Sequence, residues 1–114
     1  MLNRINTYLN SNIGKELKKS SEIHKEKEFI LRDKSISNSD IQGVIDLYYI
    51  NDKGNIILVD FKTDNLENEE EFISRYKVQL EIYKRALEKL SNKKVEKSYI
   101  YSFKLGKEIE VDCE

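Results

Sequence analysis

Two aspartates and a lysine in this chain have the side-chain types and the spacing of a divalent-metal site. Asp46 and Asp60 lie fourteen positions apart, each in an apolar stretch that predicts a β-strand, and Lys62 follows two residues after Asp60. Carboxylate oxygens are the ligands that a hard cation such as Mg²⁺ prefers, and a nearby lysine can orient or help to deprotonate an attacking water. The three residues therefore predict a site for metal-assisted hydrolysis.

A predicted hairpin would bring the two aspartates together. Residues 51–54 have the composition of a tight turn, so Asp46 and Asp60 would lie on neighbouring strands at comparable distances from it. Two carboxylates held close repel each other unless a cation lies between them. Lys62 would share a face with Asp60 because side chains alternate along a strand, and Phe61 between them would point into the core.

Each aspartate also has an ordinary structural interpretation. Asp46 could face solvent at an edge or cap a neighbouring backbone group. Asp60 ends the apolar run at 56–59, where a strand leaves the sheet and polar residues commonly resume. An Asp-x-Lys tripeptide is common, so the prediction depends on the combination of the two carboxylates and the lysine rather than on any one of them.

A glutamine and a tyrosine on the next predicted helix provide a second indication. Gln79 and Tyr83 are four positions apart, so they project from the same helical face. An amide buried in an apolar stripe must find a hydrogen-bond partner, and a helix packed on the sheet could aim this pair at the aspartates. The alternative is that Gln79 is solvated at the edge of the stripe and Tyr83 is an ordinary core residue.

The pattern of apolar, polar and turn-forming residues predicts an α/β (α+β) fold, a mixed central sheet flanked by helices in the order α-β-β-β-α-β. The apolar run at 56–59 indicates a central strand covered on both faces. Weak helix formers at 11–14 predict a break in the first helix, whose apolar side begins at Leu2, and the stripe of the second helix ends at Leu90. The predicted elements are a helix at 2–20, strands at 25–31, 41–50 and 55–62, a helix at 69–90, a strand at 95–105 and a short edge strand at 109–111.

Length, charge and cysteine content limit the possible classes of protein. The 114 residues suit a single domain over residues 1–114, and a formal net charge of −1 gives no nucleic-acid signal from bulk charge. Cys113 is the only cysteine, which excludes a disulfide framework and suits a reducing cytoplasm. No apolar run approaches the about 20 residues that a membrane helix needs, so no membrane partner is expected.

Basic residues cluster from the second predicted helix into the strand that follows it. They would form the solvated face of an amphipathic helix, or part of them could touch a DNA backbone, where each phosphate contact adds salt-dependent affinity. The cluster consists of Arg75, Lys77, Lys84, Arg85, Lys89, Lys93, Lys94 and Lys97.

Three segments together resemble the PD-(D/E)xK nuclease superfamily, and more narrowly the RecB-like nuclease domain that ends AddA-type ATP-dependent helicase–nucleases. That group carries G-x-(I/V)-D-L, then a strand ending D-(Y/F)-K-T-D, then Y-x-x-Q-L-x-x-Y-x-x-A-L. Glu26 matches the glutamate of the group's E-x-P-F, with Glu28 in place of the proline. The matching segments are Gly43-Val44-Ile45-Asp46-Leu47, Val59-Asp60-Phe61-Lys62-Thr63-Asp64, and the helix positions Tyr76, Gln79, Leu80, Tyr83, Ala86 and Leu87.

The resemblance implies a restriction-endonuclease-like core and hydrolysis of DNA phosphodiester bonds. Asp46 and Asp60 would hold a catalytic Mg²⁺, with Mn²⁺ as the alternative. Lys62 would position the attacking water and stabilise the charged transition state. Gln79 and Tyr83 would be accessory catalytic residues that touch the scissile strand or fix the other groups.

The resemblance also implies a larger context. Glu26 would assist the site through a water or a second metal ion. The family takes a further ligand from a histidine on an upstream helix, whereas His24, the only histidine here, is expected at the surface. Because the family's histidine-bearing helix is not seen here, the chain is expected to be a C-terminal piece of a larger helicase–nuclease that begins after that helix, with weak or no activity alone. The helicase motor is also expected to lie outside it, since the sequence has no Gly-x-x-x-x-Gly-Lys phosphate loop. Its partners would be DNA, the helicase domains of the parent chain and a second helicase–nuclease subunit, in double-strand-break repair and recombination.

Two other functions stay open on the sequence. The same fold could serve as a non-catalytic DNA-docking or structural module. Alternatively, the chain could be a general interaction domain in which Asp46, Asp60 and Lys62 form an ordinary ion-pair network. A metal between the aspartates would favour the nuclease, whereas an Asp60–Lys62 pair without a cleft would favour the ion-pair network.

Overall fold

The computed structural model describes the backbone of residues 2–113 and the side chains of residues 4–113, so the predicted apolar role of Leu2 lies outside the described side chains. Five strands and three helices make up this part of the chain. They are α1 (Leu2–Leu9), α2 (Asn12–Lys19), β1 (Ile23–Leu31), β2 (Ile41–Ile50), β3 (Ile56–Lys62), α3 (Glu69–Ser91), β4 (Val95–Ser102) and β5 (Lys107–Val111).

The strands form one mixed sheet in the spatial order β1-β2-β3-β4-β5. β3 and β4 run parallel, and every other neighbouring pair is antiparallel. A parallel pair needs a long crossover connection, and α3 provides it. The predicted α+β fold is confirmed, with the first helix divided in two and the short edge strand present as β5.

The predicted break in the first helix lies between α1 and α2. The Ser11 hydroxyl accepts a hydrogen bond from the backbone N–H of Gly14 at 3.1 Å and so caps the start of α2. A Cβ atom at Gly14 would lie 2.5 Å from the carbonyl oxygen of Tyr8, so only a glycine allows α2 to begin this close to the end of α1.

The central position predicted for β3 is confirmed by the burial of both its faces. Ile56 and Leu58 point to the side covered by α3, where Phe72, Leu80 and Leu87 pack. The opposite face belongs to a second cluster, whose buried members are Ile13, Leu47, Tyr49, Ile57, Val59 and Tyr101. Because both faces of β3 are covered, a charged side chain on this strand is forced into a desolvated position.

α3 begins and ends with residues that satisfy its terminal backbone groups. The Asn68 side chain accepts a hydrogen bond from the Glu71 N–H at 3.0 Å, and Asn92 closes the helix in the left-handed conformation with φ of 57°. The prediction that Leu90 belongs to the apolar stripe is wrong, because its side chain is 57% exposed. Ala86 and Leu87 fill the core one turn earlier, which leaves Leu90 at the rim beside β1 and β2.

Three strand boundaries differ from the prediction by two residues or more. β4 was expected to reach residue 105 but ends at Ser102, because the Ser102 carbonyl accepts from Gly106 N–H at 2.9 Å and its hydroxyl accepts from Leu105 N–H at 3.0 Å. These bonds close a tight turn in which Gly106 has φ of 66°. β5 consequently starts earlier, at Lys107, and β1 starts at Ile23 rather than residue 25. No helix within residues 2–113 is both long and apolar enough to cross a membrane.

Candidate active site

The β2–β3 hairpin places the two aspartates opposite each other, as its predicted turn requires. Leu47 pairs with Val59, and one further step along the same register brings Asp46 opposite Asp60. The ladder opens at this point, and Asp46 Oδ2 accepts a hydrogen bond from the backbone N–H of Phe61 at 2.9 Å. Asp46 therefore does cap a neighbouring backbone group, and it does so while facing a second carboxylate.

Asp60 is a buried carboxylate with a cation beside it. Its side chain is 4% exposed, and Lys62 Nζ lies 3.0 Å from its Oδ2 atom. Burial and the contact with Asp46 raise the pKa of Asp60 to about 6, against the opposing effect of Lys62. The folded protein thus holds two acidic groups in contact at a cost that a bound cation would remove.

Lys62 is held from two sides. Besides the ion pair with Asp60, its Nζ lies 4.1 Å from the centre of the Tyr76 ring. The Tyr76 hydroxyl donates to Asp64 Oδ2 at 2.6 Å, and Arg75 Nη1 lies 3.2 Å from the same oxygen. Tyr76 and Asp64 both lie in the segments that match the family pattern, but neither was predicted to take part in the site; the signal for Tyr76 is that it shares a helical face with Gln79 and Tyr83.

Gln79 and Tyr83 both project from α3 toward the sheet. Burial raises the pKa of Tyr83, and the negative charges of Asp60 and Asp46 raise it further. The Tyr83 ring packs edge-on against Phe29 at a centroid distance of 5.5 Å. Gln79 Oε1 is buried and accepts no hydrogen bond from any residue of the described chain, so an amide oxygen is available on this helical face.

Glu26 lies on the far side of Asp46. The β1–β2 pairs on either side of it place Glu26 opposite Asp46, and its φ of 50° costs about 1–3 kcal/mol for a residue with a side chain. Glu26 and Asp46 line an open cleft of about 600 Å³. The other residues of the cleft are Tyr8, Lys25, Leu47 and Phe61.

The carboxylate oxygens of Asp46 and Asp60 are the type of ligand that a hard divalent cation prefers. Within residues 4–113 no three His, Cys, Asp or Glu side chains lie together as a metal-binding group, so the pair of Asp46 and Asp60 is the candidate ligand set. Mg²⁺ commonly binds through one or two carboxylates and keeps several waters. The ion pair expected for an ordinary charge network is present between Lys62 and Asp60. Of Asp46, Asp60 and Lys62, only Asp46 lines the open cleft.

His24 and most of the basic cluster have structural partners. His24 stacks on Tyr48 at 4.5 Å and lies 3.0 Å from Glu22, on the surface as expected. Five of the basic side chains bind carboxylates or carbonyl oxygens, which favours the solvated-face interpretation for them. The pairs are Arg75 with Asp64, Lys84 with the Cys113 carbonyl, Arg85 with Asp33, Lys89 with the Arg32 carbonyl and Lys97 with Glu110.

Comparison with known proteins shows similarity along almost the whole chain. A family model described as the PD-(D/E)XK nuclease superfamily matches residues 1–111. The chain is 37% identical over 123 residues to an ATP-dependent helicase/nuclease subunit of Clostridium novyi (strain NT), and the match covers 95% of the chain and 10% of the relative. The corresponding protein of Clostridium botulinum (strain Alaska E43 / Type E3) is 38% identical over 122 residues, covering 93% and 10%. That of Lachnoclostridium phytofermentans is 51% identical over 73 residues, covering 62% and 5%. The chain spans about a tenth or less of the length of these curated relatives.

Proposed function

Because the chain belongs to the PD-(D/E)XK nuclease superfamily, we propose that it hydrolyses DNA phosphodiester bonds with Mg²⁺ held by Asp46 and Asp60. The observation that supports this is the meeting of two carboxylates and a lysine at the open end of a hairpin, with Asp60 buried and Lys62 Nζ 3.0 Å from it. Mn²⁺ has the same preference for oxygen ligands and is the alternative metal.

Each site residue has a separate role in this proposal. Asp46 and Asp60 would hold the metal ion, which when bound would supply polarisation of the phosphate and a more acidic water. Lys62 orients the attacking water and offsets the negative charge that develops on the phosphate. Gln79 and Tyr83, on the α3 side, donate to or accept from the scissile strand. Glu26 holds a water across the cleft from Asp46.

The larger setting is also part of the proposal. The relatives are ATP-dependent helicase/nuclease subunits about ten times as long as the chain, which supports residues 1–114 as one nuclease domain of a larger protein. In that setting helicase domains of the parent chain and a second subunit would supply unwound DNA, in the cytoplasm, for double-strand-break repair and recombination.

Metal binding and DNA cleavage measured on the same variants test the proposal. Mn²⁺ binding followed by electron paramagnetic resonance should show one site in the wild type and a loss of at least tenfold in affinity in Asp46→Asn and Asp60→Asn. Asp33→Asn, which removes a carboxylate paired with Arg85 instead, is the matched control and should bind normally. Cleavage of end-labelled DNA with Mg²⁺ should be slow in the isolated chain, faster in a chain extended upstream, and absent in Asp60→Asn and Lys62→Gln. Cleavage that survives Asp60→Asn would contradict the assignment.

A non-catalytic DNA-docking module with the same fold is the second candidate. It is favoured by one observation, that no third acidic or histidine side chain joins the aspartate pair within residues 4–113. DNA binding without cleavage, in both the isolated and the extended chain, would select this candidate over the nuclease.

A further inference from the structure

We propose that Tyr76, fixed by Asp64, is a positioning residue that holds the Lys62 ammonium in place beside Asp60. The inference rests on the proposed function for its catalytic consequence, since Lys62 is the residue that would orient the water. Its structural content, the contact between the Tyr76 ring and Lys62, can be measured without any reaction.

Lys62 needs such a contact because its side chain is long and flexible. A lysine loses about 2 kcal/mol of rotamer freedom when it is fixed in one position. The ion pair with Asp60 holds the ammonium at one point only, through the charge of the carboxylate. The face of an aromatic ring attracts an ammonium independently of that charge, and Nζ lies 4.1 Å from the centre of the Tyr76 ring.

The ring is in turn held at its hydroxyl end. Tyr76 donates to Asp64 Oδ2 at 2.6 Å, and Arg75 binds the same oxygen at 3.2 Å. The Tyr76 hydrogen bond and the Arg75 charge hold the pKa of Asp64 below its usual range, so this acceptor stays ionised. The hydrogen bond between Tyr76 and Asp64 links α3 to the loop that follows β3. The Tyr76 ring cannot turn away from Lys62 without breaking this hydrogen bond.

A core role alone does not explain this arrangement. Tyr76 is half-buried at the margin of the α3 cluster, where an aliphatic side chain would provide the same apolar packing. What an aliphatic side chain lacks is the negative ring face toward Lys62 and the hydroxyl toward Asp64. Tyr76→Phe keeps the ring face and loses the hydroxyl, whereas Tyr76→Leu loses both groups.

Nuclear magnetic resonance of the metal-free, lysine-labelled chain tests the contact directly. The Lys62 CεH₂ protons should be shifted upfield by the Tyr76 ring and should show cross-relaxation with its ring protons. The shift should decrease in Tyr76→Phe and in Asp64→Ala, which both remove the hydrogen bond that holds the ring, and should disappear in Tyr76→Leu. Tyr99→Leu, which replaces a half-buried tyrosine packed on the opposite face of the sheet, is the control and should leave the shift unchanged.

The cross-peak between the Lys62 CεH₂ protons and the Tyr76 ring protons in the wild type tests the contact even if Tyr76→Leu does not fold. Its absence, or a Lys62 shift that is the same in folded Tyr76→Leu as in the wild type, overturns the inference.

Kinetics on the extended chain test the consequence for the reaction. Tyr76→Leu should lower kcat about tenfold with KM changed less than about twofold, and Tyr76→Phe should stay within about threefold of the wild type. An unchanged kcat in Tyr76→Leu contradicts the positioning role. If even the wild type cleaves no DNA, the proposed function fails, and the cross-peak still decides whether Tyr76 positions Lys62.

Discussion

Burial of Asp60 against Asp46 makes ionisation of this carboxylate unfavourable in the metal-free protein. The pKa of Asp60 is raised to about 6 from an ordinary value of 3.8, mainly by burial and then by Asp46. A raised pKa means that the folded protein binds this proton more tightly than the unfolded chain does. Asp60 therefore contributes stability below pH 3.8, and this stability is lost as the pH rises through about 6.

The first prediction concerns the pH dependence that Asp60 gives to the free energy of unfolding. In EDTA, the free energy of unfolding of the wild type should fall, relative to that of Asp60→Asn, by about 1–3 kcal/mol between pH 4.5 and 7.5. Asparagine keeps the shape but does not titrate, so its curve should lack this fall. Urea unfolding at several pH values measures the difference. Parallel curves for the two proteins would show that Asp60 titrates normally.

At the scale of elements, α3 determines which side chains reach the aspartates from above the sheet. Its first turn follows the cap at Asn68, and from there Tyr76, Gln79 and Tyr83 come to one face toward β3. The helix is held along its length by side-chain bonds to other elements, including Lys84 to the Cys113 carbonyl and Arg85 to Asp33. The alignment of α3 therefore depends on both its cap and these lateral contacts.

The second prediction concerns the α3 cap. Asn68→Ala should lower the free energy of unfolding by about 1 kcal/mol, because the Glu71 N–H loses its acceptor at the start of the helix. Asn68→Asp should restore most of the loss, since aspartate accepts the same bond and suits the positive end of the helix. Thermal unfolding of the three proteins provides the comparison. A loss that is equal in both variants would point to a role of Asn68 other than capping.

In the whole protein, the carboxylates of Asp46 and Asp60 repel each other when both are ionised, and a bound cation would reduce this repulsion. The chain is nearly neutral, with a net charge of −1, so a general attraction of cations to the surface is weak. Stabilisation by a divalent cation beyond an ionic-strength effect would then come from a specific site.

The third prediction is the size of that stabilisation. Mg²⁺ at one hundred times its Kd should add about 2.7 kcal/mol and raise Tm by roughly 10 °C at pH 7.5. The increase should be smaller at pH 5, where Asp60 is protonated, and should vanish in Asp46→Asn. NaCl at matched ionic strength is the control. An equal rise with NaCl, or in Asp46→Asn, would exclude this pair as the metal site.

The amino-acid sequence by itself determined the features that depend on local pattern. Alternating and apolar runs specified the central strand β3, the turn at 51–54 brought Asp46 opposite Asp60, and helical spacing put Gln79 and Tyr83 on one face. These follow because a strand, a tight turn and a helix are each set by residues close together in the chain. The two carboxylates and the lysine could be predicted as neighbours for that reason.

The tertiary structure alone decided how separate elements meet. The packing of α3 on the sheet sets Tyr76 over Lys62, leaves Leu90 exposed and raises the pKa of Asp60. The left-handed backbone of Glu26 is likewise a feature of the folded sheet, at the position between the β1–β2 pairs of Lys25 and Lys27. Such contacts join residues far apart in the chain, and their distances depend on how whole faces pack, which no local spacing specifies. The sequence thus provided the two carboxylates and the lysine, and packing determined the raised pKa of Asp60 and the position of Lys62 beside Tyr76.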